Sequence, residues 1–345
     1  MARSKVSISD IAKQLNISTT TISFILNGKA KEKRISDKLV AKVLKKVKEE
    51  GYIPNMVAKG LRTGKTNIIG LMVEDISNPF FASIAKKIEE KAHQNGYKIV
   101  YCSTENDIKR AKEFLTMFQT LGVDGCIIAP TMGMEEDIRD LVEKGMDVVL
   151  LDRKFRNMSA DVVMVNNEEG VYNAVVHLVK EGFKKIAFIA LALDKPEKED
   201  RIIGYKEAME DNGLEAYVFP LPFRVEHSEY VKEITDILKN HQGFDAVLFG
   251  TNYLGISGLE AIGELGLKIP EDLAIVSFDD HDLFRIYKPG ISAIAQPIEE
   301  ISQTAIDTLL DRLRQDDKQK VNRMVSLATT LILRGSTEKV AKDKS

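Results

Sequence analysis

The chain has 345 residues, 44% of apolar type and 29% charged, which suits two or three domains with sizeable cores and excludes a disordered chain. No apolar run approaches the ~18 residues of a membrane span. The opening MARSKVSISD lacks the apolar core of an export signal, and Cys102 and Cys126 can build neither a disulfide framework nor a CxxC zinc site, so a cytoplasmic protein without membrane contact is expected.

The formal net charge of −3 is unevenly spread: residues 1–65 hold 15 Lys and Arg against 5 Asp and Glu, and the rest hold 34 against 47. A basic head on an acidic body suggests a polyanion met by the head alone, with a solvated charged face as the alternative. In the head, Ser7 and Asp10 form a helix-start pattern, followed by Ile8, Ile11, Ala12 and Leu15 at helical spacing. Ser18 is placed to cap a second helix that turns Ile22, Ile25 and Leu26 inward and ends at Asn27-Gly28. A third helix starts near Ser36, is expected to bury Leu39, Val40, Val43, Leu44 and Val47, and stops at Gly51. Three short helices, the first two joined by a tight turn, make a helix-turn-helix arrangement. The outward face of the second carries Thr19, Thr20, Ser23, Phe24 and Asn27, mostly short hydrogen-bonding side chains that suit base edges in a major groove. Phe24 is open to two readings, contact with a thymine methyl or partial burial against the turn.

Residues 54–66 follow as a connector. Pro54 suits a helix start, but only about two turns are available and helices shorter than ~12–15 residues are marginal alone. Gly60 costs roughly another 1 kcal/mol, so this segment is expected to fold only when clamped.

From Asn67 on, short β-branched runs alternate with helical patterns: strands at 68–73, 98–102, 125–129, 148–151, 162–165, 185–190, 246–249 and 273–277, and helices at 80–95, 108–121, 135–144, 168–181, 200–212, 228–240 and 253–264. This is the alternation of parallel α/β sheets. Its length and a change near 161–166 imply two similar lobes with a cleft between them. Open parallel sheets bind ligands at the carboxyl ends of their strands. Asp75, Asn78, Asp152, Asn252 and Asp279 follow strands and suit sugar hydroxyls, with Gln296 nearby, Arg201 as a two-pronged donor and Phe80 or Phe81 as an apolar face. Each Asp or Asn is also an ordinary turn former.

The run Ile8-Ser9-Asp10-Ile11-Ala12, then Ser18 to Ser23 and Leu26-Asn27-Gly28, resembles the DNA-binding head of the lactose/galactose repressor (LacI/GalR) family. Gly51-Tyr52-Ile53-Pro54-Asn55 with Leu61-Arg62-Thr63-Gly64 resembles that family's hinge. Asp75 to Phe81, Val123-Asp124-Gly125, Leu151-Asp152-Arg153, Arg201 with Gly204-Tyr205, Ile269 to Leu273, Ser277 to Asp280 and Gln296-Pro297-Ile298 continue the likeness in order over residues 6–335.

The resemblance implies a helix-turn-helix head (1–53), a hinge helix and linker (54–66), and an α/β, two-lobed, periplasmic-binding-protein-like body (67–345). Lobe 1 would take about 67–163 and 297–325, and lobe 2 about 164–293 and 328–338, with later crossings near 291–297 and 325–328. It further implies a homodimeric repressor on a pseudo-palindromic DNA operator, controlled by a small sugar-like effector, with no cofactor and no metal. Ser18, Thr19, Thr20, Ser23, Phe24 and Asn27 would meet DNA, with Lys59 and Arg62 near phosphates and Leu61 wedged into the minor groove. Asp75, Asn78, Phe80, Phe81, Asp152, Arg201, Phe223, Asn252, Asp279 and Gln296 would meet the effector.

The chain departs from the family pattern at Phe24, where relatives commonly carry Arg or His, in the basic loop Lys29 to Arg34, at Gly60, and at Asn252-Tyr253 and Asn166-Asn167. The alternative within the family is a protein corepressor. An enzyme is excluded by the lack of GxxxxGK[ST], of GxGxxG after the first strand, and of GxSxG. A periplasmic sugar carrier would need an export signal and no basic head. His281 is expected to be structural, and Phe284, Ile286 and Tyr287 form an apolar cluster that reads as interface or loop packing.

Overall fold

The computed structural model describes residues 6–52, 65–155, 158–192, 199–224, 226–241, 243–314 and 321–339. The chain divides into two compact units, residues 1–66 and 67–345.

The first unit is a three-helix cluster: α1 (Ile8–Leu15), α2 (Thr19–Leu26) and α3 (Asp37–Glu49). Each start is set by a side chain that satisfies orphan N–H groups. Ser7 and Asp10 form a reciprocal capping box on α1, Ser18 accepts from Thr21 N on α2, and Ser36 accepts from Leu39 N on α3. Asn16 closes α1 in the left-handed conformation (φ 54°), which its short polar side chain tolerates. Ile11, Ala12, Ile22, Ile25 and Val43 form the core, with Leu39, Val40 and Val47 packed on it. Leu44, expected inside, is 48% exposed: α3 buries one stripe, and Leu44 falls beside it.

The second unit holds two six-stranded sheets. The first contains β1 (Ile68–Val73), β2 (Lys98–Ser103), β3 (Gly125–Ile128), β4 (Asp147–Leu151), β5 (Asp161–Val165) and, from the far end of the chain, β11 (Met324–Leu327), in the order β11-β5-β4-β3-β1-β2. Between them run α4 (Pro79–Gln94), α5 (Ile108–Leu121) and α6 (Glu135–Glu143). The second contains β6 (Ile186–Leu191), β7 (Tyr217–Leu221), β8 (Ala246–Phe249), β9 (Ala274–Phe278), β10 (Ser292–Ala295) and β12 (Thr330–Ile332), in the matching order β12-β10-β9-β8-β6-β7. Its helices are α7 (Asn167–Lys180), α8 (Asp200–Asp211), α9 (His227–Asn240), α10 (Asn252–Glu264) and the short α11 (Asp282–Ile286). All pairings are parallel except β10 with β12. A long helix, α12 (Ile298–Arg314), returns to pack on α4 and on β3 to β5 of the first lobe.

Several boundaries differ from the sequence expectation. Strand β5 lies wholly in the first sheet, so lobe 1 runs to Val165, and β11 extends its second part to Leu327. Residues 292–295, expected within a crossing, form β10 of the second sheet, so that crossing begins after Ala295. The helical periodicity read from the sequence ends at residue 264, whereas α11 and α12 lie beyond it.

Local chemistry explains the strand starts. Asp124 accepts from Asn67 N (2.9 Å) at the entry to β1, and Asp245 accepts from Lys184 N and Lys185 N (2.8 and 2.9 Å) at the entry to β6. Arg312 on α12 forks onto Asp161 (2.6 and 2.7 Å), a buried pairing that ties the last helix to β5. Gly204 lets α7 and α8 touch, since a Cβ there would lie 2.1 Å from the Glu168 carbonyl oxygen. Its neighbour Tyr205 is fully buried and donates to the Ile186 carbonyl (2.7 Å). That sequence pair is therefore a packing device. Phe284 is fully buried in the second lobe while Ile286 is 62% exposed, so the two do not share a surface patch. His281 caps α11, its Nδ1 accepting from Leu283 N (3.0 Å).

Candidate functional site

In the first unit, α2 presents Ser18, Thr19 and Thr20 exposed and Ser23, Phe24 and Asn27 half-buried. Asn27 Nδ2 donates back to the Ser23 carbonyl (2.7 Å) and to Ser23 Oγ (3.2 Å), fixing the end of the helix. Phe24 is half-buried outside the apolar cluster of the head, and the Lys33 ammonium lies 5.5 Å over its ring, a cation–π contact with the basic loop. Lys59, Leu61 and Arg62 lie outside the described residues.

In the second unit, the carboxyl ends of the two sheets enclose a cavity of about 730 Å³. Strand order reverses between β1 and β3 in one sheet and between β6 and β8 in the other, the point where open α/β sheets leave a crevice. Seven residues expected at the site line it: Asn78, Phe80, Phe81, Asp152, Arg201, Asp279 and Gln296. Asp152 follows β4 and Asp279 follows β9, with φ of 68° and 67°, a left-handed bend that Asp tolerates. Each backbone N–H reaches the next strand, Asp152 to the Val163 carbonyl (2.9 Å) and Asp279 to the Ile294 carbonyl (3.0 Å). The two carboxylates therefore occupy equivalent places in the two lobes.

Arg201 is held from three sides. Its Nε donates to Asn167 Oδ1 (2.7 Å), its Nη1 donates to the Gly250 carbonyl (2.6 Å), and its guanidinium lies 3.6 Å from the Phe278 ring centre. Asp152 Oδ1 is 4.0 Å from Nη2. Gln296 Nε2 donates to Asp279 Oδ1 (2.5 Å). Burial pushes the Asp279 carboxyl up to about 6, against the lowering influence of Arg201 and Gln296. Phe80 and Phe81 form an edge-on pair, ring centres 5.0 Å apart, as the apolar wall.

Three expected residues fall elsewhere. Asp75 accepts from Ser77 N and Oγ (2.8 and 2.7 Å), a turn-forming role, and lies off the cavity lining. Phe223 is half-buried away from it. Asn252 is buried at the start of α10 and does not line the cavity. Its amide is hydrogen-bonded to that of Asn78 (3.2 and 3.4 Å), directly joining the two lobes.

Other lining residues escaped the sequence reading as site candidates: Glu74, Arg153, Asn167, Glu199 and Tyr253. Arg153 pairs with Glu74 (3.2 Å) and lies 3.7 Å from Asp152. The strand-end rule would have found Glu74, directly after β1, and Arg153 stood in the quoted Leu151-Asp152-Arg153. Glu199 and Tyr253 carry no such local mark. Among the described residues, no group of three His, Cys, Asp or Glu is arranged to hold a metal ion, and no helix is long and apolar enough to cross a membrane.

Residues 7–55 match the family of bacterial regulatory proteins, lacI family, and residues 175–337 match a periplasmic binding protein-like domain. The chain is 31% identical over 333 residues to a ribose operon repressor of Haemophilus influenzae, covering 95% of this chain and 97% of that one. It is 30% identical over 339 residues to the HTH-type transcriptional regulator DegA of Bacillus subtilis, covering 96% and 98%. Among solved structures, a LacI family transcriptional regulator from Enterococcus faecium with bound ribose is similar at a TM-score of 0.69 and 27% identity, over 79% of this chain and 99% of that one. The lac repressor dimer bound to operator shares the fold at a TM-score of 0.79 and 23% identity, over 97% and 99%. With its capped helix-turn-helix head, its paired α/β lobes and relatives along nearly its whole length, the chain belongs to the lacI family of DNA-binding transcriptional regulators and is not an enzyme.

Proposed function

We propose that this regulator is a cytoplasmic repressor that binds a pseudo-palindromic operator as a homodimer and changes its grip when a sugar-like effector enters the body cavity. The observation that carries this reading is the convergence of Asp152, Arg201, Asp279 and Gln296, drawn from both lobes, around one cavity walled by Phe80 and Phe81. Carboxylates and an amide accept and donate to ring hydroxyls, the guanidinium fork donates to ring oxygens, and the phenyl faces cover the apolar side of a sugar. A concave cavity with convergent polar groups favours a small molecule over a protein corepressor.

On the head, Thr19 and Thr20 with Ser23 and Phe24 meet base edges in the major groove, while Ser18 and Asn27 set the ends of the reading helix. Lys59, Arg62 and Leu61 belong to this proposal through the family resemblance alone.

Calorimetry with a saccharide ligand, in the presence and absence of a duplex selected by the protein from a randomised pool, tests the coupling. Operator and effector must change each other's affinity by the same factor. An effector affinity that ignores the duplex sinks the coupling, and a selected duplex without dyad symmetry sinks the dimeric reading of the operator.

A further inference from the structure

The charges of the cavity narrow the ligand class beyond a sugar-like molecule, and this step rests on the reading just proposed. Six carboxylates, Glu74, Glu135, Asp152, Glu199, Asp200 and Asp279, line the cavity with two guanidinium groups, Arg153 and Arg201. Both guanidiniums already have protein partners. Arg153 is engaged by Glu74 and Asp152, and Arg201 by Asn167, the Gly250 carbonyl and the Phe278 ring. The third lining cation, Lys154, is exposed.

Among the described residues, Glu199 Oε2 at the cavity is buried without a hydrogen-bond partner, and the Tyr253 hydroxyl has at most the Thr251 side chain. A buried carboxylate oxygen without a donor is costly, so it marks a place where a ligand proton belongs. Burial raises the Glu199 carboxyl despite Arg201 and Arg153 nearby. Burial, with Glu74 beside it, also holds the Tyr253 phenol well above its ordinary range, so it stays protonated and can donate.

We infer that the effector is a polyol without any anionic group, neutral or aminated, whose hydroxyl or ammonium protons are donated to Asp152, Asp279 and Glu199 while Tyr253 donates to one of its oxygens. A phosphate or carboxylate on the ligand would enter a space where carboxylates outnumber cations, with Arg153 already paired with Glu74 and Asp152 and only Arg201 Nη2 left to meet it. The resulting unpaired charge weakens binding by about 100-fold or more.

The test uses the full chain and matched sets: glucose, glucosamine, glucose 6-phosphate and gluconate, the corresponding galactose and mannose sets, and ribose with ribose 5-phosphate. Thermal shift finds the binders and calorimetry ranks them. The expected result is a non-anionic best ligand, with its phosphate or acid counterpart weaker by about 100-fold or more. A sugar phosphate or sugar acid that binds as tightly as its uncharged counterpart overturns this inference and leaves the sugar-effector reading standing. Silence across every set defeats both. Glu199→Gln should narrow the gap between the best ligand and its phosphate, and an unchanged gap removes Glu199 from the discriminating set.

Discussion

The two lobes are built to one plan and charged to different ends. Both sheets share a strand order, both bend left-handed at an aspartate, and both anchor the first strand of the sheet with a carboxylate at the start of the third, Asp124 in one and Asp245 in the other. The partners of the two left-handed aspartates differ. Asp152 lies beside two guanidiniums, with Arg153 Nε at 3.7 Å and Arg201 Nη2 at 4.0 Å, whereas Asp279 is buried with the neutral Gln296 amide on its Oδ1. Repeating a backbone thus repeats the place of a carboxylate without repeating its electrostatics. Burial drives the lobe-2 carboxylate toward neutrality.

Removing the guanidinium that faces both aspartates attacks this contrast most directly. Arg201→Ala strips hydrogen bonds from Asn167 and Gly250, removes the guanidinium acting on Asp279 and leaves Asp152 with Arg153 alone, so a loss of about 3–5 kcal/mol is expected in chemical denaturation. Saccharide binding should vanish with it. A loss below about 1 kcal/mol would mean that Arg201 is a solvated surface pair.

Asp279→Asn should act in the opposite direction on stability. The folded carboxyl titrates at about 6 against 3.8 for the free group, so between those values the folded state binds the extra proton, and stability falls as pH rises through that window. Above about pH 6 the full penalty is present, roughly 3 kcal/mol at most by linkage. The asparagine keeps an oxygen to accept from Gln296 and escapes the penalty. The variant is therefore expected to be more stable at pH 7, flatter between pH 4 and 6, and weaker for effector, a trade of function for stability. A variant less stable than the parent at pH 7 would place the strain elsewhere.

The mildest test concerns the join between the lobes. Asn78→Ala and Asn252→Ala should each cost about 1 kcal/mol, with the double variant costing less than the sum. Full additivity in that cycle would show that the amides do not act as a pair.

Much of this was legible because it depends on local rules. The serine caps of all three head helices, the βα alternation and the strand-end aspartates each follow from a residue and its near neighbours. Arg201 came from the family likeness, and its setting fits because α8 begins at the rim of the cavity. Misreadings cluster where distant segments meet. Strand β11 is a four-residue edge strand with a half-exposed, alternating burial pattern, and its place beside β5 is decided by Arg312 and Asp161 far apart in sequence. Asp75 and Phe223 had the right composition for a site, but the cavity faces other side chains. Glu199 and Tyr253 reach it from the starts of α8 and α10, and no spacing announces that.

The return of α12 and β11 to the first lobe sets an order of events during synthesis. A ribosome finishes residues 68–165 early, but the helix and strand that complete that lobe emerge only after most of the second, up to β10. At about 5–20 residues per second, the delay is on the order of ten to thirty seconds. Throughout that interval the Asp161 carboxylate waits without its guanidinium, and the outer edge of β5 stays open to other strands. The lobe that is begun first is therefore completed late, just before β12 closes the second.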